Sequence, residues 1–230
     1  MRRLVVATAI ACALVSGCAS HLGFGRARTL PRGQSQVSGA LEGQTTAPKM
    51  GSDGQVALLP WGQVSAGFRH GVTSRFEVGA RGWLGGLPQN YGGGLGLDGK
   101  TQIYRGSGDM RSFDVALVSA LAYHRVEVGS TPWHTFHAML PVLVGINAGP
   151  HQLFLGPRVG ATFWTSEGQD PIKFLWGGGS LGFSGRVAKN FYLVPEVVVL
   201  YAPLSFNGTI PGDRLGVYEV QAGVGAAYDL

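Results

Sequence analysis

The side chains that could serve as metal ligands or as general acids and bases are the histidines and the few acids near them. His134 and His137 are three residues apart, which on a β-strand places them on opposite faces, so they do not predict a joint metal site. His124 with Glu127, or His134 with Asp170, could form an acid–base pair of the kind that enzymes use. The spacing does not require such a pair, and we predict no catalytic residues, no cofactor and no metal site.

Two glycine-rich stretches have the composition of phosphate-binding loops. They are residues 91–96 and Gly177-Gly178-Gly179-Ser180. A phosphate loop needs a helix behind it, and neither stretch precedes a helical pattern. We therefore expect both to be strand segments in which glycine lets neighbouring strands approach each other closely.

The first residues have the composition of an export signal. Arg2 and Arg3 give a basic start, and residues 4–15 form an apolar run that is too short to cross a bilayer as a helix. Val15-Ser16-Gly17-Cys18 resembles the lipobox of bacterial lipoproteins, in which small residues precede a cysteine that receives a diacylglyceryl group. The resemblance implies export by the general secretion route, cleavage before Cys18, and a Cys18 that carries fatty acyl chains such as palmitate and anchors the chain to a membrane.

The composition excludes several classes of protein. The only other cysteine, Cys12, lies inside the signal, so the exported chain has no internal disulfide. Loss of Arg2 and Arg3 with the signal lowers the formal charge from +5 to +3, which is too small and scattered an excess to predict nucleic-acid binding. The sequence combines 38 Gly and 45% hydrophobic residues with only 13% charged residues, yet no stretch after the signal is long enough for an apolar spanning helix.

From about residue 33 onward the chain shows runs in which apolar residues alternate with small or polar ones, as expected of β-strands. The runs are separated by turn-forming clusters, and each is long enough to cross a bilayer as a tilted strand. We predict ten strands: Gly33 to Gly43, Gln55 to His70, Ser74 to Gly85, Tyr91 to Arg105, Ser112 to Val126, Thr135 to Asn147, His151 to Thr165, Lys173 to Val187, Asn190 to Ala202 and Leu215 to Leu230.

The connections predict a barrel. Those after the second, fourth, sixth and eighth strands are short, and those after the odd-numbered strands are mostly longer, for example residues 44–54, 127–134 and 203–214. Short turns on one rim, longer loops on the other and an even strand number are typical of bacterial outer-membrane barrels, whose termini are periplasmic. The predicted fold is all-β, a single antiparallel up-and-down β-barrel of about ten strands, with eight or twelve as alternatives. Its domains are a cleaved lipoprotein signal peptide at 1–17, a lipidated tether at 18–32 and the barrel at 33–230.

The positions of the aromatic residues also favour a membrane barrel. Aromatic rings at both membrane interfaces flank the aliphatic band of such barrels. Phe68, Phe76, Phe113, Phe191 and Tyr228 are expected near the inner rim, and Trp61 is an exception in mid-strand. Near the outer rim we expect Trp83, Trp133, Trp164 and Trp176, with Tyr123, Phe136, Phe163, Phe174 and Tyr201.

The period of two assigns the side chains of each strand to the lipid or to the lumen. Phe76, Val78 and Ala80 would face lipid while the residues between them face inward. Buried charges need partners, so we expect Glu–Arg pairing in a lumen that side chains fill, because a barrel of this size is narrow. The predicted lumen charge network consists of Glu77, Arg81, Asp114, Arg158, Glu196 and Glu219.

The last strand alternates from Tyr218 to Leu230 and resembles the terminal strand by which the outer-membrane assembly machinery recognises its barrels. Three local features compete with the ten-strand interpretation. Asp98-Gly99 has the composition of a hairpin turn, and residues 114–125 have helical propensity. Pro60, Pro141, Pro157 and Pro195 fall inside predicted strands, where proline favours a bulge or an edge.

These observations predict a lipid-anchored outer-membrane protein with a structural or interaction role. Its expected partners are membrane lipid, the lipoprotein export machinery and the outer-membrane assembly machinery. One alternative is a soluble periplasmic lipoprotein barrel that binds an apolar ligand, which would have polar outward rows and apolar inward ones. A second alternative is a lipid-modifying enzyme, which would need ionisable residues from different strands to converge near His124, His134 or Asp170.

Overall fold

The computed structural model describes Gly23 and residues 25–50, 55–56, 59–87, 90–107, 110–128, 131–168, 171–204 and 215–230. Cys18 and Asp170 lie outside these ranges. In the described residues no helix is long and apolar enough to span a bilayer. The strands are β1 (Ser35–Met50), β2 (Gln55–Val56), β3 (Leu59–Gly71), β4 (Phe76–Leu87), β5 (Asn90–Arg105), β6 (Met110–Val128), β7 (Thr131–Ala148), β8 (His151–Leu155), β9 (Arg158–Ser166), β10 (Ile172–Ala188), β11 (Phe191–Leu204) and β12 (Leu215–Asp229).

The strands form one closed antiparallel sheet. Strands that follow each other in the chain are paired, except β2 with β3 and β8 with β9, and β12 pairs with β1 to complete the ring. The two residues of β2 extend the ladder beside β1, and β8 and β9 are halves of one strand, since both lie between β7 and β10. The barrel therefore has ten strands, and the prediction of a ten-strand up-and-down barrel is confirmed.

The features that competed with the ten-strand interpretation are absorbed into strands. Asp98-Gly99 lies inside β5, and residues 114–125 lie inside β6. Pro157 falls between β8 and β9, where β10 changes partner, so this proline marks a break in the ladder as its missing N–H predicts. Pro60, Pro141 and Pro195 are contained in β3, β7 and β11.

The two ends of the barrel differ. The turn rim carries the connections 72–75, 106–109, 149–150 and 189–190 and the chain end, and the loop rim carries the connections after β1, β4, β6, β9 and β11. Gly149 and Asn190 have positive φ angles of 61° and 66°, which suits two-residue hairpin turns. The long loop predicted at 127–134 is wrong, because β6 and β7 stay paired up to Val128 and Thr131. Alternation continues to the rim there, with Val126 and Trp133 both buried inside.

The barrel has a polar interior and an apolar exterior. Gln63, Gln102 and Gln221 are buried, whereas Leu84, Leu95 and Leu97 are among the large apolar side chains exposed on the wall. The burial pattern of β7 alternates residue by residue over nearly the whole strand. The predicted assignment of apolar rows to the outside is confirmed, and the opposite arrangement that a soluble barrel requires is not found in the described residues.

The tryptophans are the main correction to the predicted arrangement. Trp83, Trp133, Trp164 and Trp176 are buried inside the barrel and do not form an outward girdle, and Trp61 is buried with them. The alternation of β4 gives the reason, since Trp83 shares its face with Glu77. The exposed aromatic residues among those described are phenylalanines and tyrosines: Phe68, Phe76, Tyr91, Tyr104, Phe113, Phe136, Phe183, Tyr201, Tyr218 and Tyr228.

Glycine makes room for the large rings inside this narrow barrel. A Cβ atom at Gly160 would overlap the indole of Trp176, and one at Gly94 would overlap the indole of Trp83. A Cβ at Gly182 would meet the ring of Phe154 in the same way. The high glycine content is therefore partly a packing requirement, because each ring lies against a neighbouring strand that has no side chain at that position.

Candidate functional site: the lumen

The turn-rim half of the lumen contains a cluster of ion pairs around Glu77. Its carboxylate lies 2.7 Å from Nζ of Lys100 and 3.0 Å from Nη1 of Arg69. Arg69 also bonds Asp98 through both terminal nitrogens, at 2.8 and 3.1 Å. The cluster joins β3, β4 and β5, and its charges satisfy each other inside the wall as buried charges require.

A second pair joins β9 and β11 over the inner face of β10, the strand between them. Nη2 of Arg158 lies 3.2 Å from Oε1 of Glu196, and the side chains are 2% and 1% exposed. Arg158 also donates to the hydroxyl of Ser180 and, at 3.3 Å, to the carbonyl of Gly156. Both clusters border a cavity of about 60 Å³, which is large enough for ordered water between charged groups.

Asp114 is the centre of a third cluster, on β6. Its carboxylate accepts hydrogen bonds from Arg28 at 2.9 Å, Asn147 at 2.8 Å and Gln152 at 3.2 Å. Gln152 also donates to Oδ1 of Asn147 at 2.7 Å. The aspartate is fully buried. Its negative charge is neutralised by the guanidinium of Arg28, a residue that belongs to none of the strands.

A luminal segment is defined as Gly23 with residues 25–34. It lies inside the barrel up to Leu30 and reaches the turn rim at Pro31, Arg32 and Gly33, which are exposed. Its backbone N–H groups at Ala27, Thr29 and Leu30 donate to Gln152 at 2.6 Å, Gln102 at 2.8 Å and Glu77 at 2.7 Å. Gly23 donates to Glu196 at 2.9 Å, farther from the turn rim along β11. The part of the predicted tether that the structure describes therefore runs from the turn rim into the lumen.

The loop-rim half of the lumen is aromatic and less charged. The five tryptophans line it together with His124 and His137, which are both buried. Nδ1 of His137 lies 2.8 Å from the hydroxyl of Thr162, which also accepts from Nε1 of Trp176 at 3.0 Å. His124 packs edge-on against Trp83 with ring centroids 6.0 Å apart. These groups make a packed aromatic layer across this half of the barrel.

Of the two possible acid–base pairs, that of His134 with Asp170 lies partly outside the described residues, and that of His124 with Glu127 is not formed. His124 faces the lumen, whereas Glu127 lies outside and bonds Arg125 and Tyr91, both at 2.8 Å. Three positions along a strand place the two on opposite faces. His134 contacts the hydroxyl of Tyr123 at 2.7 Å on the outer side of the barrel, and His137 faces inward, as their spacing predicts.

The described ranges contain no group of three or more histidine, cysteine, aspartate or glutamate side chains that could hold a metal ion. The glycine-rich residues 91–96 and 177–180 lie inside β5 and β10, so neither forms a phosphate loop.

The structure distributes the six predicted lumen residues over separate contacts. Glu77, Asp114, Arg158, Glu196 and Glu219 are buried, and Arg81 is half-buried with its guanidinium 5.7 Å from the ring of Trp83. Glu219 bonds Gln221, which also bonds Gln44 at 2.7 Å. Of the six, Arg158 and Glu196 form an ion pair with each other, while Glu77 and Asp114 pair with cations outside the set.

Sequence reasoning missed Arg69, Lys100 and the luminal segment. Arg69 shares its face of β3 with Gln63, and Lys100 shares its face of β5 with Gln102. The alternation of these strands could therefore have shown that both cations face the lumen. The segment carries no periodic pattern, and its partners come from four different strands.

Comparison with known proteins identifies the fold. No family model matches the sequence, and no curated protein matches it. The outer-membrane protease OmpT of Escherichia coli has a similar structure, with a TM-score of 0.52, 11% identity, and coverage of 89% of this chain and 100% of that one. The translocator domain of autotransporter NalP from Neisseria meningitidis has a TM-score of 0.40 and 13% identity over 93% of this chain and 92% of that one. The chain thus has the fold of an outer-membrane β-barrel.

Proposed function

We propose that this chain is a lipid-anchored outer-membrane β-barrel with a structural or interaction role and no enzymatic activity. The observation that carries the proposal is the apolar outer wall, on which Leu95, Leu97 and Leu121 are each at least 66% exposed. Exposed apolar rows around a polar interior suit hydrocarbon as the surrounding solvent. The similarity of fold to an outer-membrane barrel supports the same location.

The membrane location has a direct test. Outer-membrane barrels often resist unfolding by detergent until heated, so the folded chain should migrate differently in a gel before and after boiling. It should also stay with the membrane fraction after extraction with urea. A chain that leaves the membrane in urea and shows no heat-dependent shift would contradict the proposal.

The lipid anchor is proposed at Cys18, in the lipobox-like Val15-Ser16-Gly17-Cys18. Cys18→Ala should abolish incorporation of labelled palmitate, because the acylated thiol is lost. Cys12→Ala is the matched control, since Cys12 lies in the part of the signal that cleavage removes. Labelling that survives Cys18→Ala would refute the anchor.

The two rims suggest the orientation of the barrel in the membrane. The turn rim and the C-terminus would lie in the periplasm, and the loop rim would lie at the cell exterior. Lys189 and Glu167 are exposed at the turn rim and at the loop rim. Because the thiol of Cys18 is blocked by its lipid, an impermeant maleimide should label Glu167→Cys on intact cells and Lys189→Cys only after the outer membrane is opened. The reverse pattern would invert the orientation.

Recognition by the outer-membrane assembly machinery is proposed through β12, whose outward row includes Tyr218, Val220, Val224 and Tyr228. Tyr228→Ser should lower the amount of folded barrel in the membrane, whereas Tyr201→Ser, an outward tyrosine on β11, should have a smaller effect. Equal loss in both variants would indicate a general effect on stability.

The absence of enzymatic activity is proposed from the separation of the candidate groups. In the described residues His134 bonds a tyrosine and Glu127 bonds Arg125 and Tyr91, so no histidine–carboxylate pair stands ready for acid–base catalysis. Purified barrel in mixed micelles of phospholipid should leave the lipid unhydrolysed. Turnover that His134→Ala abolishes would replace this proposal with the enzymatic alternative.

A further inference from the structure

We propose that the turn-rim half of the lumen is a peptide-binding site, specific for a segment in which one small residue lies between two arginines, and that the luminal segment is its ligand in cis. The proposal concerns the interior alone and does not depend on the lipid anchor or on the membrane orientation.

The site recognises the backbone of the segment. Four N–H groups of the luminal segment donate to side-chain oxygens of Glu196, Gln152, Gln102 and Glu77, which come from four strands. Two cations complete the set: Nζ of Lys100 donates to the carbonyl of Arg26 at 2.7 Å, and Arg105 donates to that of Thr29 at 3.3 Å. Such contacts bind main chain without regard to sequence.

Charge supplies the first element of specificity. Arg28 pairs with Asp114 at 2.9 Å, and Arg26 lies 3.5 Å from Asp229 with its guanidinium 4.3 Å above the ring of Tyr192. Asp114 and Asp229 are both buried, so without the segment two luminal carboxylates would lose their cations. A buried charge without its partner is costly, and the site therefore favours a cationic peptide.

Size supplies the second element. Ala27 is fully buried against Val118 and Leu143, and a Cβ atom placed at Gly145 would lie 2.8 Å from that of Ala27. There is no room for a larger side chain at this point. Leu30 is also buried. The contacts thus define a pattern of arginine, small residue, arginine, threonine and apolar residue over residues 26–30.

The covalent link makes the cis ligand hard to displace. The segment passes directly into β1, and Gly33 and Gln34 hydrogen-bond Gly71 next to its start. A short connection gives an effective concentration of about millimolar or higher, which a dilute peptide in solution cannot match. A peptide added in trans should therefore bind only when substitutions have weakened the binding of the luminal segment to the lumen.

Hydrogen–deuterium exchange on the full folded chain in detergent tests occupancy. The amides of Ala27, Thr29 and Leu30 should exchange far more slowly than those of an unstructured peptide of the same sequence. Gln152→Ala and Gln102→Ala should accelerate exchange in this segment without changing exchange in the strands. Exchange at the unstructured rate in the unmodified chain would overturn the proposal.

Binding in trans tests specificity. In the full chain carrying Arg26→Glu and Arg28→Glu, a fluorescent peptide of residues 23–32 should bind saturably, and the same peptide with both arginines replaced by glutamate should bind at least about tenfold more weakly. The matched control chain carries Arg75→Glu and Lys189→Glu, the same change of net charge at exposed turn-rim positions. It should bind neither peptide.

Heat-modifiable migration should show that both chains are folded before binding is measured. If the charge-reversed chain does not fold, Arg26→Ala with Arg28→Ala replaces it. A folded variant that binds no peptide, or that binds both peptides equally, would refute a specific site. Equal binding of the unmodified peptide by the control chain would refute occupation in cis.

Discussion

Nζ of Lys100 lies 2.7 Å from Oε1 of Glu77, with side chains 3% and 1% exposed. Arg69 reaches the same carboxylate at 3.0 Å, and the backbone N–H of Leu30 donates to its other oxygen at 2.7 Å. One carboxylate therefore connects two neighbouring strands of the wall to the segment inside it.

Removing both members of this pair should destabilise the barrel by less than the two single losses added together. Glu77→Gln or Lys100→Met leaves a buried charge without its main partner, and each should cost about 3–5 kcal/mol of unfolding free energy. The double variant should lose less than the sum of the two. Chemical unfolding in detergent measures the cycle, and additive losses would mean that the two side chains do not interact.

A charge on the outer wall should be costly in a bilayer. Leu97 is 67% exposed in the middle of β5, so Leu97→Arg should cost about 2–4 kcal/mol if hydrocarbon surrounds it. Tyr91→Arg, near the loop rim of the same strand, should cost about 0–1 kcal/mol. Unfolding of the barrel in lipid vesicles gives both values. Similar small losses at both positions would argue that water surrounds the wall.

The packing of rings on glycine predicts which glycines tolerate alanine. Gly160→Ala would place a methyl group inside the indole of Trp176, so it should cost about 1–3 kcal/mol through forced movement of the ring. Gly43→Ala is the control, because a Cβ atom there meets nothing within 4 Å. Denaturant midpoints compare the two, and an equal effect would show that backbone conformation, and not the ring, requires glycine.

The inward tryptophans should be poorly accessible to lipid. Bromine atoms on acyl chains quench indoles that touch lipid, so brominated phospholipid should reduce the fluorescence of the barrel only slightly. Phe136→Trp places an indole at an outward position that is 48% exposed, and its emission should be strongly quenched. Strong quenching of the unmodified chain would restore the girdle that the sequence suggested.

Alternation made most of the wall predictable, because a single assignment decides every side chain of a strand. It placed Glu77 and Arg158 inside and Phe76 and Val78 outside, where the structure has them. The tryptophans were assigned by their height along the barrel, although the alternation of each strand already turned them inward. The partners of Ala27 and Leu30 lie 125 and 47 residues away, a distance at which short local patterns carry no information.

The position of residues 25–34 also constrains the order of assembly. β1 and β12 pair from Gln36 and Asp229 to Lys49 and Gly216, and this last seam closes the ring around the segment. A peptide held by side chains of β4, β5 and β8 cannot enter sideways through a finished wall. The segment must either be in place when β1 and β12 pair or enter afterwards through an open end of the barrel. In the first case these residues would act as a template on which the strands assemble. The lumen would then be filled at the same moment as the sheet closes.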